Sequence, residues 1–242
     1  MEKAFPASGA RTVHGTIIGI IVLDTGFERL PGDIAHADTW PFPVQFRVVR
    51  GVRPADVING DPTRALPAFF AAIDELADLG VSAITTSCGF LSAVQNELSA
   101  YAPVPFLSSA LLQIPLIERT LPAQKRVGVL VSDLDALKDI HLLAIGVAPN
   151  LPMAGLPADS VLRTNMRTNT VGVDRQAQER EVVAAAGELL KAYPDIGAIV
   201  CECANFPPYS AAIARRFGLP VYDIVTLIQW LHMALAPPRY SS

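Results

Sequence analysis

Short apolar runs and amphipathic stretches alternate along this chain, and the alternation predicts an α/β fold. Apolar runs of strand length, rich in Ile and Val, occupy residues 16–23, 82–86, 104–107, 126–131 and 196–200. Stretches with helical periodicity occupy residues 69–79, 91–101, 176–192, 209–217 and 225–235. The apolar runs show no polar alternation, which is typical of parallel strands that helices cover on both faces.

Two proline-containing segments interrupt this alternation. Residues 38–62 hold four prolines, with room for one strand at 44–49, and residues 149–160 hold three. Because proline removes a backbone donor, both segments are predicted to be loops. Long loops in compact domains are often functional.

An internal repeat relates the two halves of the chain. Residues 82–88 (SAITTSC) align without a gap with residues 197–203 (GAIVCEC), at a spacing of 115 positions (203 − 88). Pro105 and Pro220 keep the same spacing. Each half therefore runs strand, cysteine, helix, proline, strand, which predicts a duplicated α/β unit.

The repeat predicts two pseudosymmetric domains, each a Rossmann-like or flavodoxin-like parallel sheet. We place the first domain at residues 1–120 and the second at residues 121–223. The C-terminal helix, within 224–242, is expected to pack back on the first domain. Parallel sheets bind ligands beyond the carboxyl ends of their strands, so the active site is expected in the cleft between the domains.

Cys88 and Cys203 are the candidate chemical groups of this cleft, because each follows a strand at an equivalent point of the repeat. A thiol on each wall suits racemisation, in which one face of a carbon loses a proton and the other face gains one. The amides that follow each cysteine are expected to favour a carboxylate and to lower the thiol pKa. Cys201 lies inside the strand and is predicted to be a core residue.

Composition narrows the class of protein. Hydrophobic residues make up 51% of the chain, charged residues 17%, and the net charge is −4, so nucleic-acid binding is not expected. No run of about 20 apolar residues and no signal peptide is apparent, and three cysteines make no disulfide framework, so we expect a cytoplasmic protein without membrane association. The apolar excess predicts a homodimer or higher homo-oligomer. No metal-ligand cluster or strand-end lysine is present, so no cofactor is expected.

These features resemble the aspartate/glutamate racemase superfamily, which also holds hydantoin racemases, maleate isomerases and arylmalonate decarboxylases. The resemblance covers most of the chain and is carried by three motifs: Asp24-Thr25-Gly26, Thr86-Ser87-Cys88-Gly89 and Glu202-Cys203-Ala204-Asn205. It implies cofactor-independent catalysis, with Cys88 and Cys203 as two acid/base groups and the acidic Asp24 near the first cysteine.

The resemblance and the strand-end positions together predict a set of substrate-binding residues. The set is Asp24, Thr25, Thr86, Gly89, Phe90, Ala204 and Asn205. Glutamate racemases usually carry Asn-Thr after the first cysteine and Thr-His after the second. Gly89-Phe90 and Ala204-Asn205 stand there instead, which argues against glutamate itself as the substrate.

The function expected from the sequence is a racemase or epimerase of an amino acid or a related small carboxylate. Two alternatives remain open. One is a cis–trans isomerase or decarboxylase of a dicarboxylate, which would use one thiol. The other is a non-catalytic, two-lobed sensor of a small ligand.

Overall fold

A computed structural model describes residues 13–239 of the chain. The strands are β1 (Ile18–Leu23), β2 (Val44–Val49), β3 (Ala83–Thr86), β4 (Phe106–Leu107), β5 (Arg126–Val131), β6 (Met153–Gly155), β7 (Ile196–Cys201) and β8 (Val221–Tyr222). The α-helices are α1 (Pro54–Ile58), α2 (Leu66–Leu79), α3 (Gln95–Tyr101), α4 (Ile114–Thr120), α5 (Asp139–Leu143), α6 (Val161–Thr168), α7 (Arg175–Ala192), α8 (Pro207–Phe217) and α9 (Ile224–Leu235).

The strands form two four-stranded parallel sheets of the same topology. The first sheet has the order β2-β1-β3-β4 and the second has the order β6-β5-β7-β8. Side chains of β1 and β3 are buried throughout, as expected for strands with helices on both faces. The predicted fold class, two pseudosymmetric parallel-sheet α/β domains, is confirmed.

Strand register shows that the repeat in the sequence is also a repeat in space. In the first sheet, Ile84 on β3 pairs with Phe106 on β4. In the second sheet, Ile199 on β7 pairs with Val221 on β8, so both partners are displaced by the same 115 positions (199 − 84 and 221 − 106). The carboxyl ends of β3 and β7 therefore occupy equivalent places in the two sheets.

Both proline-containing segments contain a strand. The strand at Val44–Val49 is present as edge strand β2, and its alternating burial fits a position with one partner. The segment 149–160 was predicted as a loop, but it holds the short strand Met153–Gly155, which pairs with β5. Three residues are too few for a hydrophobic period to be visible in the sequence.

The helix predicted at 91–101 begins differently in the structure. A 3-10 turn occupies Gly89–Val94, and the α-helix starts only at Gln95. The tighter turn begins directly after Cys88, with a hydrogen bond of 3.2 Å from the Leu91 amide to the Cys88 carbonyl. Such turns are common at helix termini, and here the turn points its first amides at the cysteine.

The C-terminal helix α9 packs on the first domain. Leu227 and Ile228 belong to a core cluster that holds side chains of β1 and β3 and also side chains of β5 and β7. His232 stacks on Phe42 with ring centroids 3.8 Å apart. The stacking on Phe42 supports packing of α9 on the first domain, and the domain bounds stay a prediction. The proposed bounds 1–120 and 224–242 extend to residues 1–12 and 240–242, which lie outside the described residues.

None of the helices between residues 13 and 239 is long and apolar enough to span a bilayer.

Candidate active site

A cavity of about 460 Å³ lies at the carboxyl ends of the central strands of both sheets. The segments that follow β1, β3, β5 and β7 all contribute to its lining. This is where a parallel α/β sheet is expected to bind its ligand. Its lining after these strands includes Asp24, Thr25, Ser87, Cys88, Gly89, Phe90, Ser132, Asp133, Glu202, Cys203, Ala204 and Asn205.

Cys88 and Cys203 both line this cavity as free thiols. They are 7% and 8% exposed, and they are close enough for the charge of one to raise the pKa of the other. Cys201 is fully buried in the core of the second domain, which confirms its prediction as a core residue. The two thiols are therefore on one site, one from each sheet.

Burial controls the ionisation of both thiols. It raises the pKa of Cys88 to about 12, and the amides of Phe90 and Leu91 oppose this rise. Burial also raises the pKa of Cys203, against hydrogen bonds from the Asn205 backbone and from Ser132. The amides act in the expected direction, but the expected net lowering of the thiol pKa is wrong because desolvation is larger. Both thiols are neutral in the free site at pH 7.

Glu202 is a buried acid in this site, and it is 1% exposed. Burial raises the pKa of its carboxyl group to about 8. Neither carboxyl oxygen has a hydrogen-bond partner among the described residues. A Cβ built on Gly89 would lie 2.9 Å from the Glu202 Cδ, so the side chain fills the space that any larger residue at 89 would need.

A hydrogen-bond network joins the two domains beside Cys203. The Asn205 side-chain amide donates to Asp33, and its carbonyl oxygen lies 3.7 Å from the Cys203 Sγ. Asp33 also accepts from Arg29 Nη1 at 2.7 Å. Arg29 Nη2 in turn donates to the Thr25 hydroxyl at 3.0 Å. The predicted substrate-binding residues Thr25 and Asn205 are thus held by one network, which orients the Asn205 oxygen toward the thiol.

The remaining predicted residues differ in their placement. Gly89, Phe90 and Ala204 line the cavity. Asp24 also lines it, but its carboxylate accepts from the Gly51 amide at 2.9 Å and so turns toward the loop after β2. Thr86 lies outside the lining and is 1% exposed.

Thr86 supports the wall of the cavity from behind. Its hydroxyl donates to the Ser108 carbonyl at 2.9 Å and is 3.3 Å from the Cys88 carbonyl. The side chain therefore contacts the backbone of the first cysteine, and the structure does not bring it to the cavity surface.

Arginines give the cavity a positive rim. Arg29 and Arg163 are paired with Asp33 and Asp133. Two exposed arginines of the lining have no ion-pair partner between residues 13 and 239: Arg53 and Arg167. Such guanidinium groups suit a carboxylate ligand. No group of three His, Cys, Asp or Glu side chains in the described part of the chain could hold a metal ion.

Solved structures of several enzymes have a similar fold. Arylmalonate decarboxylase, in a glycine-to-cysteine variant with sulfate, matches with a TM-score of 0.63 and 17% identity over 93% of this chain and 95% of that chain. Allantoin racemase from Klebsiella pneumoniae matches with a TM-score of 0.61 and 17% identity over 91% and 87%. Glutamate racemase from Bacillus anthracis matches with a TM-score of 0.58 and 11% identity over 91% and 83%.

The chain has the fold of the aspartate/glutamate racemase superfamily. The fold resemblance expected from the sequence is therefore confirmed. No protein-family model matches the sequence.

The curated proteins that are similar in sequence to this chain are named as lyases. Dimethylsulfoniopropionate lyase from Durusdinium sp. clade D is 26% identical over 93% of this chain and 76% of its own length. Dimethylsulfoniopropionate lyase 7 from Emiliania huxleyi is 28% identical over 86% of this chain and 64% of its own length. The chain thus spans three quarters of the first relative and less than two thirds of the second.

Sequence reasoning missed several charged residues of this site, among them Glu202, Asp33, Arg29, Arg53 and Arg167. Glu202 had a visible signal, because it is a charge at the end of an otherwise apolar strand, in IVCEC. Asp33 and Arg29 had no visible signal, since they lie in the segment between β1 and β2, and Asp33 meets Asn205 only where the domains pack.

Proposed function

We propose that the chain is a cofactor-independent enzyme that removes the α-proton of a small carboxylate, with Cys88 and Cys203 as its acid/base groups. The observation that carries the proposal is the presence of two free thiols, one from each sheet, in one cavity. Cysteine is suited to this work when its site controls its ionisation. A reducing cytoplasm would keep both thiols available.

Different parts of the cavity would contact the carboxylate and the α-carbon of the substrate. Arg53 and Arg167 at the rim offer two guanidinium groups to the carboxylate. The α-carbon would then lie deeper, between the two sulfurs. The Asn205 oxygen accepts from the Cys203 thiol at 3.7 Å and so favours its protonated form, which suits Cys203 to donate a proton.

In the racemase or epimerase reaction, one cysteine first loses its proton to solvent, and the resulting thiolate takes the α-proton and becomes a thiol again. The electron pair of the broken C–H bond moves into the carboxylate and forms an enediolate, which the positive rim stabilises. The opposite thiol then gives its proton to the other face of the carbon and becomes a thiolate. Atoms and charge balance, and the product is the mirror image at that carbon.

A second candidate is a lyase that eliminates a group from the β-carbon, which the curated relatives named dimethylsulfoniopropionate lyase favour. It shares the first step with the racemase. The electron pair of the C–H bond then forms a carbon–carbon double bond, and the β-substituent leaves with its own bonding pair. For dimethylsulfoniopropionate this would give acrylate and dimethyl sulfide. The proton remains on the thiol and is later lost to solvent, so this route needs one base.

A panel assay in deuterated water tests both candidates. The panel holds enantiopure amino acids, hydantoins, substituted malonates and dimethylsulfoniopropionate. Loss of optical rotation together with deuterium at the α-carbon identifies racemisation, and release of dimethyl sulfide identifies elimination. Saturable binding without any turnover or exchange would contradict an enzymatic function and indicate a sensor.

The cysteine variants show which thiols take part. Replacing either Cys88 or Cys203 by serine should reduce racemisation on the order of thousands-fold, since a hydroxyl is a poor acid and base near pH 7. In an elimination, only the variant at the basic cysteine should fail. Cys201→Ser is the matched control, because that thiol is fully buried away from the cavity. Near-normal turnover in both single variants would refute thiol catalysis.

A further inference from the structure

Glu202 is a buried acid that the thiol chemistry described above does not use. It is 1% exposed, and both of its carboxyl oxygens lack a hydrogen-bond partner among the described residues. Buried polar groups are nearly always hydrogen-bonded, because an unpaired one loses its contacts with water and gains none in return. An orphaned carboxyl group in the lining of a cavity therefore calls for a functional reason.

The position of Glu202 relates it to both thiols. It precedes Cys203 in the chain, and its carboxyl group packs on Gly89, which follows Cys88. Its charge raises the pKa of each of the two cysteines. These are the titratable groups that face it from the turns after β3 and β7. Burial alone accounts for the change in its own pKa.

We propose that Glu202 is a positioning residue for both thiols: as a neutral acid it offers a hydrogen-bond donor to the thiolate that forms at Cys88 or Cys203, and as a carboxylate it repels that thiolate. A protonated carboxyl group has one O–H donor. A newly formed thiolate is an acceptor that this donor lacks in the resting site. The unpaired hydroxyl of the neutral acid is thus explained by a partner that exists only during the reaction.

This inference deepens the proposed function and rests on it for its purpose, but thiol reactivity tests it without any turnover. The assay is the alkylation of each cysteine by iodoacetamide between pH 6 and pH 9.5, with peptide mapping by mass spectrometry. Only the thiolate reacts, so the rate at each cysteine reports its ionisation. The proteins are the wild type, Glu202→Gln and Glu202→Leu, with the exposed Glu75→Gln as a control.

Glutamine keeps a donor and cannot ionise, whereas leucine has no donor. Below about pH 8, Glu202→Gln should react like the wild type, and Glu202→Leu should be slower on the order of ten- to a hundredfold at both cysteines. Above about pH 8, the wild-type rate should level off as Glu202 ionises, while Glu202→Gln continues to rise and exceeds it roughly tenfold. Glu75→Gln should follow the wild type throughout.

Three results would overturn the inference. Equal alkylation profiles for Glu202→Gln and Glu202→Leu would show that the Glu202 side chain only fills space. A slower Gln variant below pH 8 would mean that the carboxylate itself acts as a base. Wild-type alkylation rates that keep rising through pH 9.5, as expected for Glu202→Gln, would show that Glu202 does not ionise in this pH range. If Glu202→Leu does not fold, the wild-type and Gln profiles decide alone.

The two proposals can fail separately. If the alkylation profiles follow the expectation and no carboxylate is turned over, the control of the thiols stands and the proposed function fails. If turnover needs both cysteines and the profiles of Gln and Leu are the same, the function stands and the role of Glu202 fails.

Discussion

Replacing Asp33 by alanine should destabilise the protein strongly, because this one carboxylate joins the two domains beside Cys203. Asp33 is 2% exposed and accepts hydrogen bonds from Arg29 at 2.7 Å, from the Ala35 amide at 2.9 Å and from Asn205. The Arg29 side chain is 13% exposed, so the variant leaves a largely buried guanidinium without its partner. Removing one partner of a buried ion pair costs about 3–5 kcal/mol.

The loss can be measured by urea denaturation and by thermal melting. For a chain of this size we expect the melting temperature to fall by roughly 10 °C, at about 2–4 °C per kcal/mol. The control is Glu75→Ala, whose ion pair with Arg47 lies between side chains that are 51% and 48% exposed. Such a surface pair contributes about 1 kcal/mol or less. A loss for Asp33→Ala no larger than that of Glu75→Ala would refute the network as a structural junction.

The same variant should change the two thiols differently. Asp33 fixes the Asn205 amide with its oxygen toward the Cys203 sulfur, which favours the protonated thiol. Without Asp33 this preference is lost, and alkylation of Cys203 should become faster while that of Cys88 is unchanged. Equal acceleration at both cysteines would indicate general opening of the cavity instead.

Two further predictions concern Glu202 and its neighbour. Gly89→Ala should lower the free energy of unfolding by about 1–3 kcal/mol in urea denaturation, because the new Cβ would lie within 3.0 Å of the Glu202 carboxyl and backbone. It should also change the alkylation rates of both cysteines. Unchanged stability and unchanged alkylation rates would contradict the tight contact. Burial raises the pKa of Glu202 to about 8 in the folded state, whereas the unfolded chain releases this proton above an ordinary pKa of about 4.3. The free energy of unfolding should therefore fall by up to about 1.4 kcal/mol per pH unit between pH 5 and pH 8, and it should change less above pH 8. Glu202→Gln should flatten this dependence in urea denaturation, and an unchanged slope would assign it to other groups.

The fold was predictable because its signals are local or repeated. Continuous apolar runs indicate strands buried on both faces, and an ungapped spacing of 115 positions (203 − 88) relates their ends. The parts that were missed are short or depend on tertiary contacts. The three residues of β6 show no period, and α5 and α6 are too short or too polar to stand out.

The candidate site divides in the same way. The thiols could be located from the repeat, since each follows a strand at an equivalent point. Their ionisation could not, because it depends on how much water the folded site excludes, and burial outweighs the amides that the sequence suggested. The Asn205–Asp33 contact spans 172 positions and arises only when the domains pack.

The backbone at the two strand ends is equivalent, although the side chains differ. The Ser87 amide donates to the carbonyl of Ile21, and the Glu202 amide donates to that of Leu130, both at 2.9 Å. At this equivalent position, just before the cysteine, the first half carries the hydroxyl side chain of Ser87 and the second half carries the carboxyl side chain of Glu202. The fold supplies the symmetry, and the sequence breaks it at this point.

The broken symmetry bears on the reaction. Glu202 occupies the space beside Gly89, so the turn after the first cysteine must carry a glycine, while the turn after the second cysteine carries Ala204. A racemase needs a working acid/base group on each face of its carbon. An elimination needs a base on one face only, and unequal surroundings do not impair it. Glu202, a buried carboxyl group with no counterpart before the first cysteine, is therefore a physical reason, independent of the names of the relatives, to assay elimination beside racemisation.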